Sequence, residues 1–276
     1  MHFLITNDDG FDAPGLAALY TALIPLGQVT VVAPAVCHSS RGHAVDTKNP
    51  IRIEKRNVNP FGGIHIVHAS PADCIRVGLA HVLETPPDAV VAGINPGANL
   101  GVDLFYSGTA AAAREAALMG LPAIAVSRYV QAEIPIDWDC LATFTRRVVR
   151  TLSNRKLAPP RLSFWNVNFP SVPSGNYPEQ LTILPHGVEP HAVSFRQTTD
   201  ETGQTQLHYT GVYRERGQSG QCDVHAVFSN QLTASLVGPQ MTIPHPELPV
   251  RTQMTGSAGE SPAHHQVSLD DAAYPD

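Results

Sequence analysis

The chain has 276 residues, enough for one large or two small domains, with 43% hydrophobic and only 15% charged residues. That balance supports a sizeable core and excludes a disordered or coiled-coil protein. Eighteen basic against 24 acidic residues leave a net charge of −6, which excludes a broad basic surface for a nucleic-acid backbone.

Phe3-Leu4-Ile5 opens the chain as a short apolar run that stops at a polar turn. It lacks a basic start and ends too early for a signal peptide, and no later run approaches the roughly 20 residues of a membrane span. A cytoplasmic protein with no membrane partner is expected. A helix is predicted from Pro14, a residue suited to a first helical position, with Leu16, Leu19, Tyr20 and Leu23 on helical spacing. Gln28 to Ala33 reads as a β-branched strand and Ile64 to His68 as another. Ser70-Pro71 looks like a cap and first residue of a helix to about Glu84. Asp88 to Ile94 is a buried strand, Ser107 to Met119 an alanine-rich helix, Pro122 to Ser127 a strand, and about Ile136 to Ser153 a helix.

Apolar strands separated by helices predict an α/β fold whose mostly parallel sheet is covered by helices on both faces. Ligands in such folds bind beyond the carboxyl ends of the strands, which directs attention to the loops after Thr6, Ala33, Ile94 and Ser127. After Leu162 helical periodicity fades. Leu181 to Leu184, Gln206 to Tyr213 and Leu232 to Val237 read as strands of an extended hairpin or small subdomain. From Arg251 the large apolar residues are few, and residues 251–276 are expected to be a disordered tail. The four cysteines, Cys37, Cys74, Cys140 and Cys222, are far apart with no CxxC pair, as reduced thiols would be.

Four segments carry candidate chemistry. Asp8-Asp9-Gly10 ends the first strand, and there the two carboxylates can converge; two such groups repel unless a cation sits between them or one is protonated. A plain Asp-Gly turn would explain the same residues. Val36 to His43 is a polar, hydroxyl-rich loop containing Ser39, and an ordinary surface loop carries such residues too. Gly93 to Gly101 is not a dinucleotide loop, because its glycines are misplaced for one; its Asn95 and Asn99 suit a tight loop presenting amides to a ligand. Ser107-Gly108-Thr109 starts a helix, where free N–H groups and the dipole favour phosphate. All these donors are hard oxygens, which favours one divalent Mg²⁺ or Mn²⁺ over zinc. A hard cation beside a phosphate cradle suggests phosphoester hydrolysis.

In order, Thr6-Asn7-Asp8-Asp9-Gly10, Ala13-Pro14-Gly15, Val31-Val32-Ala33-Pro34 with Ser39, Gly93-Ile94-Asn95 with Gly97, Asn99-Leu100-Gly101 and Tyr106-Ser107-Gly108-Thr109 resemble the SurE survival-protein family of nucleotidases. Pro71 with Asp73-Cys74, Asn166-Val167-Asn168 with Pro170, and Asp223 to Val237 extend the resemblance. Ala35, Ala92 and Ala69-Ser70 depart from residues frequent in the family. The resemblance implies a Rossmann-like core at about residues 1–170, and a C-terminal hairpin and swapped segment at about 171–250, together one domain of residues 1–250. It implies hydrolysis of nucleoside 5′- or 3′-monophosphates and a divalent metal held by Asp8, Asp9, Ser39 and Asn95. It also implies a homodimer or homotetramer. The mechanism expected is in-line attack by a metal-bound water, with Asp8 or Asp9 accepting its proton and Asn95, Asn99, Ser107, Gly108 and Thr109 binding the phosphate. Two rivals share the acidic pair: a phosphatase that forms an aspartyl-phosphate, and a non-catalytic nucleotide- or phosphate-sensing module.

Overall fold

The structure, a computed structural model, describes residues 1–239 apart from Ala192, Gln218 and Ser219, together with the backbone of residues 252–253 and 262–263. In chain order the elements are β1 (His2–Thr6), α1 (Pro14–Leu23), β2 (Gln28–Pro34), β3 (Ile53–Val58), β4 (Gly62–Val67), α2 (Pro71–Val77), β5 (Ala89–Pro96), α3 (Gly108–Leu118), β6 (Ala123–Arg128) and α4 (Trp138–Leu152). There follow β7 (Phe164–Phe169), β8 (Leu181–Ile183), β9 (Phe195–Thr199), β10 (Thr205–Tyr209), α5 (Asp223–Phe228) and β11 (Leu232–Val237). Residues 239–276 form a separate unit. Within it only β12 (Thr252–Gln253) and β13 (Pro262–Ala263), an antiparallel pair, are described. The rest of the expected tail lies outside the described residues.

Nine strands make one sheet in the order β3-β4-β2-β1-β5-β6-β7-β11-β8. The predicted α/β class holds. Strands β4-β2-β1-β5-β6-β7 are parallel, while β3 and β11 run antiparallel to their neighbours β4 and β7. The chain builds outward from β1 to β2 on one side and later to β5 on the other. A crevice at such a reversal of strand order is where ligands bind.

Both faces are covered, as a sheet of wholly buried strands requires. On one face Leu16, Leu19 and Leu23 of α1 and Leu141, Val149 and Leu152 of α4 pack on Phe3, Ile5, Val91 and Val167. On the other, Ile75 of α2 and Ala110, Ala113 and Ala117 of α3 pack on Leu4, Val32 and Val90. The alanines keep α3 close to the sheet. Each large buried apolar side chain contributes about 1.5–3 kcal/mol relative to exposure.

Side chains cap three of the helices, Ser70 among them as the sequence predicts. Ser70 accepts from the Asp73 N–H, Ser107 from the Ala110 N–H and Asp137 from the Cys140 N–H. The helix predicted to reach Glu84 instead ends at Val77 and widens into a looser turn over Gly78–Val82. Gly78 permits the close contact there, since a Cβ would lie 2.9 Å from Leu4 Cδ2.

The C-terminal hairpin is formed by β10, which overlaps the strand expected over Gln206 to Tyr213, and by β9, which was not expected. Strands β8 and β11 join the main sheet instead. The strand read over Gln206 to Tyr213 stops at Tyr209, and Tyr213 starts a single tight turn. No helix among the described residues is long and apolar enough to cross a membrane.

Candidate active site

The chain turns sharply after β1. The Asn7 amide donates to the Gly10 carbonyl at 2.8 Å, and Gly10 sits at φ +115°. This turn buries Asp8 and leaves Asp9 half-buried beside it. The His38 N–H donates to the Asp8 carbonyl at 2.7 Å, so the loop after β2 is stitched to the acidic pair.

The start of α3 is pressed against Asp8. A Cβ on Gly108 would lie 2.7 Å from Asp8 Cβ and 2.8 Å from its Oδ2, closer than real side chains approach. Thr109 Oγ1 donates to Asp8 Oδ1 at 2.5 Å. The Gly108 and Thr109 N–H groups support the same carboxylate. Thr109 is fully buried, and neither it nor Gly108 lines the open cleft. These two residues, expected at the phosphate, therefore face Asp8, while Ser107 lines the cleft.

Burial raises the Asp8 carboxyl above its ordinary range, against the opposing pull of the Thr109 hydroxyl and the helix N–H groups. Burial, with the neighbouring Asp8 charge, pushes Asp9 up to about 6. Asp9 Oδ2 is buried without a hydrogen-bond partner, and so is Asn7 Oδ1. Buried oxygens of this kind carry an uncompensated desolvation cost. A cation between the carboxylates would relieve it.

Asn95 comes from an irregularity in β5, where the register against β6 shifts between Ala92 and Asn95. Gly93 is essential to that bend: at φ +136° a Cβ would meet the Val126 carbonyl oxygen at 2.3 Å. Asn95 Nδ2 donates to the Gly97 carbonyl at 2.6 Å, and no hydrogen bond among the described residues claims its Oδ1. Asn99 is buried in an amide network. Its N–H donates to Asn168 Oδ1 at 2.9 Å and its Nδ2 to Ser127 Oγ at 2.8 Å, and both Asn166 and Asn168 donate to its carbonyl.

Ser39 is exposed on the β2 loop, 3.0 Å from Cys37 Sγ. The loop is held by the Gly42 N–H, which donates to the Tyr106 carbonyl at 2.9 Å, and by His43 paired with Glu115 at 2.7 Å. His43 is thus turned to a buried carboxylate that also binds Arg76 at 2.5 Å. Asp8, Asp9, Ser39, Asn95, Asn99 and Ser107 all line one cleft of about 380 Å³. Among the described residues no three His, Cys, Asp or Glu side chains cluster as a metal site. A cation here would draw on two carboxylates, a hydroxyl and an amide oxygen, the hard donors that suit Mg²⁺ or Mn²⁺.

The far wall was not visible in the sequence. Tyr106 and Tyr213 stand there, with Asp103 between. Asp103 accepts from the Tyr213 hydroxyl at 2.7 Å and pairs with Arg216 at 2.7 Å, while the Arg216 guanidinium lies 3.9 Å over the Tyr213 ring. Residues more than 100 positions apart meet at this wall, and no local pattern signals that.

An acidic cleft at the switch point of a mostly parallel sheet covered on both faces defines a Rossmann-like α/β protein. The model of the family described as Survival protein SurE matches residues 3–187, a span that holds every cleft residue named except Tyr213. The chain belongs to the SurE family. A putative 5′-nucleotidase from Synechocystis is 39% identical over 232 residues, covering 84% of this chain and 97% of that protein. The 5′-nucleotidase SurE of Pelobacter propionicus is 46% identical over 175 residues, 63% of this chain and 68% of its own length. The crystal structure of the SurE protein from Aquifex aeolicus aligns with a TM-score of 0.74 at 29% identity, over 88% of this chain and 95% of that one.

Proposed function

We propose that the chain is a metal-dependent phosphomonoesterase that hydrolyses nucleoside 5′-monophosphates, with 3′-monophosphates as further substrates, and that it works in the cytoplasm as a homodimer or homotetramer. The observation that carries this reading is the Asp8–Asp9 pair: a buried carboxylate backed by a helix start beside a second with an orphaned oxygen. The names of the relatives, 5′-nucleotidase, support the substrate class.

Asp8, Asp9, Ser39 and Asn95 hold the cation in this reading. Bound there, Mg²⁺ or Mn²⁺ supplies Lewis-acid chemistry: it neutralises phosphate charge and lowers the pKa of water. Thr109 and the start of α3 fix the Asp8 carboxylate, so its geometry is set before substrate arrives. Either Asp8 or Asp9 takes a proton from the attacking water in this reading. Ser107, Asn95 and Asn99 meet the phosphate oxygens from the cleft wall. Tyr106 and Tyr213 border the end where the nucleoside lies.

Asp8→Asn keeps the shape and removes the charge. Mn²⁺-dependent release of phosphate from AMP is expected to fall at least about 100-fold, the scale seen when a preorganised charge is lost from a site. Full activity in that variant sinks the assignment. Trapping of a phosphorylated Asp8 or Asp9 favours the aspartyl-phosphate rival, and tight nucleotide binding without turnover favours the sensing module.

A further inference from the structure

Away from the cleft, the charge of the chain is unevenly spread. Arg146, Arg147, Arg150, Arg155, Lys156 and Arg161 place six of the 18 basic side chains within one short stretch. No Asp or Glu occurs between Asp139 and Glu179. Among the described residues only Arg147 of these six forms an ion pair, with Glu179. Arg150 lies in the last turn of α4, where a cation answers the helix dipole. That effect fades within a turn and does not account for Arg155, Lys156 and Arg161.

A groove of about 490 Å³ lies between the end of α4 and the turn that follows, lined by Arg150, Thr151, Asn154, Lys156 and Leu157. Three of its five lining residues, Arg150, Asn154 and Lys156, carry side-chain N–H donors. Asn154 Oδ1 accepts the Lys156 N–H at 3.0 Å, which fixes the amide and leaves Nδ2 to donate. Arg150 adds a guanidinium and Lys156 an ammonium. The turn itself is anchored, because the Trp165 indole N–H donates to the Leu157 carbonyl at 2.9 Å. Since α4 connects the parallel strands β6 and β7, its end lies where the strands begin, at the sheet edge opposite the cleft.

We propose that this groove is a second anion site, separate from the cleft, and that it takes the phosphate chain of a small polyphosphate ligand such as a nucleoside triphosphate. Guanidinium, ammonium and amide donors around one depression match closely spaced phosphate oxygens. A single-stranded nucleic acid fits less well. Sites for it interleave cations with aromatic rings, and no Phe, Tyr or Trp lines this groove.

Calorimetry on the full chain with chelator present, at fixed ionic strength, tests the site with ATP and with inorganic tripolyphosphate. Arg150→Glu/Lys156→Glu should weaken binding of both by at least about tenfold, the loss of one charge-assisted contact or more. Release of phosphate from AMP should stay unchanged, since neither residue touches the cleft. Equal affinity for the two ligands assigns recognition to the phosphate chain, and tighter ATP binding adds a nucleoside contact; both support the site. Absence of saturable binding overturns it, as does binding that the double variant leaves intact. Tighter binding of a single-stranded oligonucleotide through the same two residues overturns it in favour of nucleic acid. If charge reversal unfolds the chain, Arg150→Gln/Lys156→Gln carries the same comparison.

Discussion

Gly108 is a residue whose importance lies in what it lacks. A methyl group there would overlap Asp8, so Gly108→Ala must displace the carboxylate or the start of α3. Shifts of about 1 Å at a reacting centre can cost 100-fold. We expect kcat/KM for AMP to fall by about that factor, with a melting temperature that moves far less than activity; unchanged kinetics would refute the contact. Asp9 makes a prediction about pH. Its folded value of about 6 lies above its ordinary 3.8, so between those values the folded chain holds a proton that the unfolded chain has released. The contribution of Asp9 to the stability of metal-free protein is therefore fully present below about pH 4 and declines as pH rises to about 6. Asp8 is shifted the same way and keeps part of this slope. Urea denaturation in chelator across that window should show stability falling less, or rising more, with pH for Asp9→Asn than for the parent chain, and an equal pH dependence would contradict the shift. That Asp8, Asp9, Ser39 and Asn95 line one cleft agrees with the strand-end loops singled out in the sequence. The work of Gly108 and Thr109 was not legible there, because helix-start residues read alike whether they face a phosphate or a carboxylate.

Among the elements, α3 depends on its cap. Ser107→Ala removes the bond to the Ala110 N–H and should cost about 1 kcal/mol in chemical denaturation; KM should rise as well, because Ser107 lines the cleft. Strand β6 ends in Arg128, fully buried and in no ion pair among the described residues. Its Nε donates to the Tyr177 hydroxyl at 2.7 Å and its other groups reach the Tyr129 and Val172 carbonyls. Tyr177→Phe leaves a buried charged donor unmet, a loss of about 1–3 kcal/mol in denaturation, with KM for AMP unchanged. The strands with apolar runs were visible in the sequence. Strand β7 was not, although it is wholly buried. Its Asn166 and Asn168 break the apolar pattern because their amides reach across to Asn99. Strand β3 was hidden by Glu54, Lys55 and Arg56, and β9 by Arg196, Gln197 and two threonines. Polar strands of this kind carry no periodic apolar face to read.

For the whole molecule, the hairpin of β9 and β10 exposes Phe195, Leu207 and Tyr209 at 55%, 62% and 61%. Large apolar side chains gathered on one exposed element mark an interaction surface. If the chain assembles as proposed, Phe195→Ser/Leu207→Ser should lower its mass in solution by light scattering, and an unchanged mass would remove the hairpin from the interface.

The two borders of the main sheet differ from its buried centre. At one border β3 presents Glu54 flanked by Arg52, Arg56 and His68, all paired to it. At the other, β8 is only three residues long. Charged or very short outer strands refuse to template another chain. On heating or at high concentration, charge at one border and brevity at the other are expected to slow the growth of β fibres from this sheet.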